Sequence, residues 1–266
     1  MNIINEIVKL TQKNDHKKAD VSVTELFKPV QELNIMKKHY KMPDPASDLM
    51  MLFGTIGHRI LEDGIKQGEK EVYITKNING KTLSGMVDLI TDDEIVDYKF
   101  TSVNKASREN EDWIMQLNIY RWMMNSSKPM KIVAVLKNWN KVQATTSPNY
   151  PQLPIVEIEI PEISDVEVED YVLDRLDNMS NNEARCTDSD IWRQADTYNV
   201  FRNENKRATK KFDTVEEAMA FIEEKRKSDR KPVSYRIIKK IGNPVRCQFY
   251  CAASAWCQQY KDMTEI

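Results

Sequence analysis

The chain has 266 residues, enough to bury a sizeable core as one elaborated domain or as a core with a small appendage. Its 41% hydrophobic and 30% charged residues exclude a disordered chain, and no apolar run approaches the roughly 18 residues of a membrane span. The formal net charge of -2 excludes a basic field over the whole molecule, so nucleic-acid binding would have to come from local patches.

The N-terminus, residues 1–20, lacks the apolar core and small-residue cleavage site of a secretory signal, so an intracellular protein is expected. Residues 21–40 carry apolar side chains at helical spacing around Pro29, which predicts a short helix, a break and another turn. After the Pro-Asp-Pro loop at 43–45, Ser47 or Asp48 can cap a strong helix that includes His58 and that Gly68 can end. Glu62 follows His58 by one turn and is placed to pair with Lys66. Three strand-like runs follow at 71–77, 82–91 and 94–101, joined by Asn79-Gly80 and Asp92-Asp93, and these predict an antiparallel meander. A helix over 109–125, a strand over 131–139, a Pro-rich loop, a strand over 155–160 and a helix over 166–179 continue the chain. Beyond Cys186 the pattern predicts a basic, aromatic-containing hairpin over 192–212, a helix over 214–227 and a strand over 233–238.

Chemistry is concentrated in the meander. Asp88 and Asp97 fall near the ends of adjacent strands, and strand periodicity puts Lys99 on the same face as Asp97. An apolar strand gains nothing from burying an unpaired acid and lysine, whereas a bound divalent cation would supply the missing partner. Gly57-His58, Gly85-x2-Asp88, Asp97-Tyr98-Lys99 and Gln116-x3-Tyr120 occur in that order, on helix, strand, strand and helix. In this the chain resembles the RecB-like branch of the PD-(D/E)XK nuclease superfamily.

The resemblance implies an α/β fold: a restriction-endonuclease-like core with a mixed central sheet flanked by helices. It implies a metal-dependent deoxyribonuclease, an exonuclease acting on DNA ends or single strands, of the kind phage genomes encode for replication, recombination or DNA degradation. Asp88, Asp97, His58 and the Tyr98 carbonyl would hold Mg2+ or Mn2+. Lys99 would orient the attacking water and stabilise developing charge, and Gln116 and Tyr120 would face the site. Other readings stay open: His58 as an ordinary helix-face histidine, Asp88, Asp97 and Lys99 as a surface ion-pair cluster, Gln116 and Tyr120 as core-edge residues. At the level of the protein, the rivals are a catalytically silent DNA-binding or virion structural protein that retains the fold, and a site-specific endonuclease.

Cys247-x3-Cys251-x5-Cys257, with Cys186 upstream, supplies four thiols, enough for one Fe-S cluster or one structural Zn2+; buried free thiols are the plain alternative. Relatives of the RecB-like branch hold a 4Fe-4S cluster through one distant cysteine and a C-x2-C-x5-C trio. Here the first spacing is x3, and the distant cysteine follows the core where theirs precedes it. The basic stretch from Arg202 to Lys211, near Trp192, Tyr198 and Phe201, is either a contact for single-stranded DNA or a solvated hairpin. The expected organisation is an N-terminal helical segment (1–46), the nuclease core (47–185) and a C-terminal extension (186–266) carrying the basic hairpin and the four-cysteine metal site.

Overall fold

In the computed structural model the chain is described over residues 19–39, 45–229 and 231–264, with backbone alone for 45–51, 53 and 62. The helix Pro45–Gly64 is already running at Pro45, so Ser47 and Asp48 fall inside it and neither is its cap; the expected Glu62 pair with Lys66 lies outside the described residues. The elements are, in chain order, β1 (Val21–Ser22), a 3-10 turn (Val23–Glu25), α1 (Val30–Met36), α2 (Pro45–Gly64), β2 (Glu69–Ile78), β3 (Lys81–Ile90), β4 (Ile95–Thr101), α3 (Val103–Ala106), α4 (Glu111–Met123), β5 (Met130–Leu136), α5 (Lys141–Thr146), β6 (Ile155–Ile160), α6 (Asp165–Asn178), β7 (Thr197–Arg202), β8 (Lys210–Phe212), α7 (Val215–Ser228), β9 (Tyr235–Lys240), α8 (Val245–Phe249), a second 3-10 turn (Ser254–Trp256) and α9 (Gln258–Thr264). They form two compact units, one from residues up to 28 and 42–182, the other from 29–41 and 183 onward. The N-terminal segment expected as a separate piece is thus shared between the two, and the second unit takes α1.

In the first unit a mixed sheet has the order β1-β3-β4-β5-β6, with β2 also paired to β3. Strands β2, β3 and β4 are the expected antiparallel meander, and Asn79-Gly80 makes the first turn with both residues at positive φ. Strand β4 runs parallel to β5, the link that requires a crossover, and α3 and α4 provide it. This is the expected mixed α/β architecture, a central sheet flanked by helices. On one side α2 packs Leu61, and Ile65 just beyond it, against Leu89, Val96 and Tyr98. Helix α4 buries Trp113, Leu117, Ile119 and Tyr120, and α6 buries Val168, Val172 and Leu176 at i, i+4 and i+8.

Polar groups pin the junction of β6 and α6. Asn118, fully buried in α4, donates to Pro161 O at 2.9 Å and accepts from Ile163 N at 2.8 Å. Arg121 reaches Glu162, Ile163 O at 2.7 Å and Asp165 at 2.9 Å. Differences from the sequence reading have local causes. Asn140 accepts from Val142 N and Gln143 N and so caps α5 inside the stretch expected to be loop. Strand β5 ends at Leu136 instead of 139, and Trp139 leaves it to donate to Pro151 O at 2.8 Å. Helix α2 stops at Gly64, short of Gly68.

In the second unit β8-β7-β9 is an antiparallel sheet, so the expected hairpin is two strands of three. Helix α7 covers one face through Val200, Ala218 and Ile222. Glu32 of α1 and Arg246 of α8 form a largely buried ion pair at 3.0 Å, and His39 stacks on Trp256 with centroids 4.9 Å apart. Among the described residues no helix is long and apolar enough to cross a membrane.

Candidate active site

The backbone register assembles the site. Leu89 pairs with Val96 and Ile90 with Ile95, after which the β3–β4 ladder opens, leaving Asp88 beside Asp97. Where the ladder stops, the Tyr98 N–H needs another acceptor, and Asp88 Oδ2 takes it at 2.7 Å. That bond fixes one carboxylate oxygen of Asp88 and aims the group at the mouth of the opening. His58 Nδ1 lies 3.6 Å from the same oxygen, with its ring against Tyr98 and Phe100.

Two glycines make this approach possible. A Cβ on Gly57 would stand 1.9 Å from Phe100 Cζ, so only glycine lets α2 come close enough to β4 for His58 to reach Asp88. A Cβ on Gly85 would meet Tyr120 Cε1 at 2.5 Å, so the second motif glycine makes room for the tyrosine. The sequence motifs contain both positions, but the steric reason for them is legible only in the packing.

Asp97 is 3% exposed and pairs with Lys99 Nζ at 2.7 Å through Oδ2. Lys99 also donates to Gln116 Oε1 at 3.0 Å, and Gln116 Nε2 donates to Tyr120 Oη at 2.9 Å and to Asp97 Oδ1 at 3.4 Å. One carboxamide therefore holds the lysine, the carboxylate and the phenol together. Burial pushes the Asp97 carboxyl up; the Lys99 charge opposes this and the Asp88 charge adds to it, for a net rise. Burial likewise pushes the Tyr120 phenol up, with Asp97 adding to it, so the phenol stays protonated. Burial pulls His58 down, but the hydrogen bond and charge of Asp88, joined by Asp97, outweigh it and the net shift is upward.

The structure thus gathers His58, Asp88, Asp97, Lys99, Gln116 and Tyr120 in the first unit, around the Tyr98 backbone. Two carboxylates, an imidazole and a carbonyl are donors suited to a hard divalent cation, and the mutual repulsion of two close carboxylates is relieved by positive charge. Among the described residues no three His, Cys, Asp or Glu side chains already converge as a cation cage. Lys99 Nζ sits on the Asp97 oxygen such a cation would share.

In the second unit Cys186, Cys247, Cys251 and Cys257 line one small cavity, and all four are free thiols. Gln31 Oε1 accepts from Cys186 N at 2.7 Å, and Gln259 Nε2 donates to Cys186 O at 2.8 Å. Burial, then neighbouring acid and thiol charges, push Cys186 up to about 12, and burial followed by Glu32 pushes Cys251 up to about 11.

No protein-family model and no curated protein matches the chain. The crystal structure of SSO0001 matches at TM-score 0.50 and 20% identity, over 71% of this chain and 88% of that one, and shares its fold. LHK-Exo in complex with dAMP aligns at TM-score 0.36 and 13% identity, over 60% of this chain and 88% of that one. The alkaline exonuclease LHK-Exo from Laribacter hongkongensis, in a second structure, aligns at TM-score 0.33 and 14% identity, over 67% of this chain and 78% of that one.

Proposed function

We propose that this protein is a deoxyribonuclease that hydrolyses phosphodiester bonds with Mg2+ or Mn2+. The observation that carries the reading is the Asp97–Lys99–Gln116–Tyr120 network set beside Asp88 and His58. A surface ion-pair cluster would not be 3% exposed at its acid, nor crossed by a buried tyrosine. Asp88, Asp97, His58 and the Tyr98 carbonyl would hold the cation, which supplies charge for the scissile phosphate and acidity to a water. Lys99 orients the attacking water and stabilises negative charge growing on the phosphate. Gln116 fixes the lysine in place, and Tyr120 fixes Gln116. Preference for DNA ends or single strands is part of the proposal and follows from the family resemblance.

The test is digestion of end-labelled linear single- and double-stranded DNA and of closed circular DNA with Mg2+, Mn2+ or EDTA. Metal-dependent shortening of linear DNA, lost in Asp97→Ala and Lys99→Ala, is the expected result. A fixed cleavage pattern on circular plasmid would replace the exonuclease reading with a site-specific endonuclease. DNA binding without cleavage under every condition would leave a silent scaffold.

We also propose that the four cysteines bind a metal centre, a 4Fe-4S cluster or alternatively Zn2+. Four thiols line one cavity, those of Cys247 and Cys257 buried and those of Cys186 and Cys251 half-buried; burial raises the pKa of Cys186, Cys247 and Cys251, and a cation is what stabilises thiolates there. Iron, acid-labile sulfide and zinc measured on the anaerobically purified protein distinguish the two, and the absence of all three overturns the proposal.

A further inference from the structure

The three-stranded sheet of the second unit is covered by a helix on one face and presents exposed edge-strand residues on the other, around a buried centre. Helix α7 takes the side of Tyr198, Val200 and Phe212. Arg202 is engaged by Asp229 at 2.9 Å and Lys210 lies over the Phe212 and Phe221 rings, so with Tyr198 three residues expected near a DNA contact are otherwise occupied. On the other side the register aligns Asn199 with Lys211 and Ile238, Phe201 with Arg236, and Thr197 with Lys240. Ile238 is 46% exposed and Lys211, Arg236 and Lys240 are also exposed.

Charge on this face is one-sided. Among the described residues Lys211, Lys240 and the hairpin-loop residues Lys206 and Arg207 form no ion pair. Arg236 lies over the Phe201 ring at 5.1 Å and donates to Asn203 O at 3.1 Å and Asn205 O at 3.2 Å, which anchors the basic loop. Its acidic neighbour is Glu204, 3.5 Å away and 97% exposed. At the centre of the face Asn199 is 8% exposed and its Oδ1 has no hydrogen-bond partner, a polar group kept where an apolar one would cost less.

We propose that this open face binds single-stranded DNA, with Lys211, Lys240 and the Lys206-Arg207 loop on phosphates and Phe201 and Ile238 under unpaired bases. Strands β8 and β9 flank β7, so their lysines stand about 10 Å apart, wide enough to border one nucleic-acid strand. An aromatic set among cations favours unpaired bases, because a duplex shields the ring faces that stack. The inference names the strand form held by the proposed nuclease and rests on that reading for its use, though binding is measured without cleavage.

The experiment is fluorescence anisotropy of a labelled oligo-dT of about 20 nucleotides, in EDTA, over a salt series. The variant pair Lys211→Glu/Lys240→Glu is expected to weaken binding at least ~10-fold and to reduce the slope of log affinity against log salt by about 1.4. Phe201→Leu is expected to weaken it roughly fivefold or more with little change in slope. Lys227→Glu, a single charge reversal on α7 away from this face, leaves binding unchanged. Thermal melts establish that each variant is folded, and Lys211→Gln/Lys240→Gln replaces the reversal pair if that pair is not. Wild-type affinity in the lysine variants overturns the proposal, and so does a duplex that binds as tightly as oligo-dT with the same losses. A chain that binds oligo-dT through this face but cuts nothing keeps this inference and loses the nuclease.

Discussion

Gln116 is the residue on which the proposed site depends most, since its carboxamide touches Lys99, Asp97 and Tyr120 at once. Gln116→Ala is expected to lower the cleavage rate ~100-fold while the metal requirement stays, because the lysine loses the partner that aims it. Tyr120→Phe removes the hydrogen bonds of the phenol with Gln116 and with the Met86 backbone and should cost about 1–3 kcal/mol in urea denaturation, with a smaller loss of rate. His58 supplies a pH test. Its pKa is raised in the folded chain, so its contribution to stability is fully present below about pH 6.5 and is lost as pH rises through the folded value. In EDTA, wild type should therefore exceed His58→Gln in stability at acid pH and lose that advantage in alkali. An advantage that grew with pH would contradict the contact with Asp88. The acid, the second acid and the lysine were legible from strand periodicity, because buried charge needs a reason. That Asp88 also serves as acceptor for the Tyr98 N–H was not, since it depends on where the ladder opens.

At the scale of elements, the approach of α2 to β4 makes a histidine on a helix and an aspartate on a strand into neighbours. Gly57→Ala places a methyl on the Phe100 ring, and the ring cannot swing freely because His58 lies 5.7 Å from it. A loss of about 1–3 kcal/mol is expected by denaturation, with a drop in cleavage, and Gly57→Ala/Phe100→Leu should regain much of the stability. If the double variant is no better than the single, the helix is held off the strand by something else. In the second unit, Asp196 accepts from Gly242 N at 2.9 Å and pairs with Arg193 and Lys239, each at 2.9 Å. These three partners, the backbone N–H first, hold its carboxyl far below the usual range. Its stabilisation is present above pH ~4 and is lost as pH falls through the depressed value, so Asp196→Asn should flatten the acid side of a stability profile. The strands, α4 and α6 were legible because each has one apolar face with a clear period. The β1 pairing and α5 were not, because two residues and one Asn cap leave no period to read.

At the scale of the molecule, the chain order and the units do not coincide. The segment with α1 precedes the core in sequence, yet it belongs to the same unit as residues from 183 onward. No sequence pattern announces this, because what joins the two stretches is a pair of charges and a few side-chain amides far apart along the chain. Glu32 is 7% exposed and meets Arg246 at 3.0 Å, while Gln31 takes the Cys186 N–H next to the thiol cavity. Removing one member of a buried pair leaves the other charge without a partner, at a cost on the order of 3 kcal/mol; replacing both with apolar side chains is often neutral. Glu32→Leu alone should therefore destabilise the second unit strongly, and Glu32→Leu/Arg246→Met should recover most of the loss. Hydrogen exchange followed by mass spectrometry reads this directly. In the single variant, protection should fall in peptides covering 245–264 and 30–36 together, since both ends of the pair belong to one unit. A loss confined to 30–36 would mean that α1 only rests on a unit that folds without it.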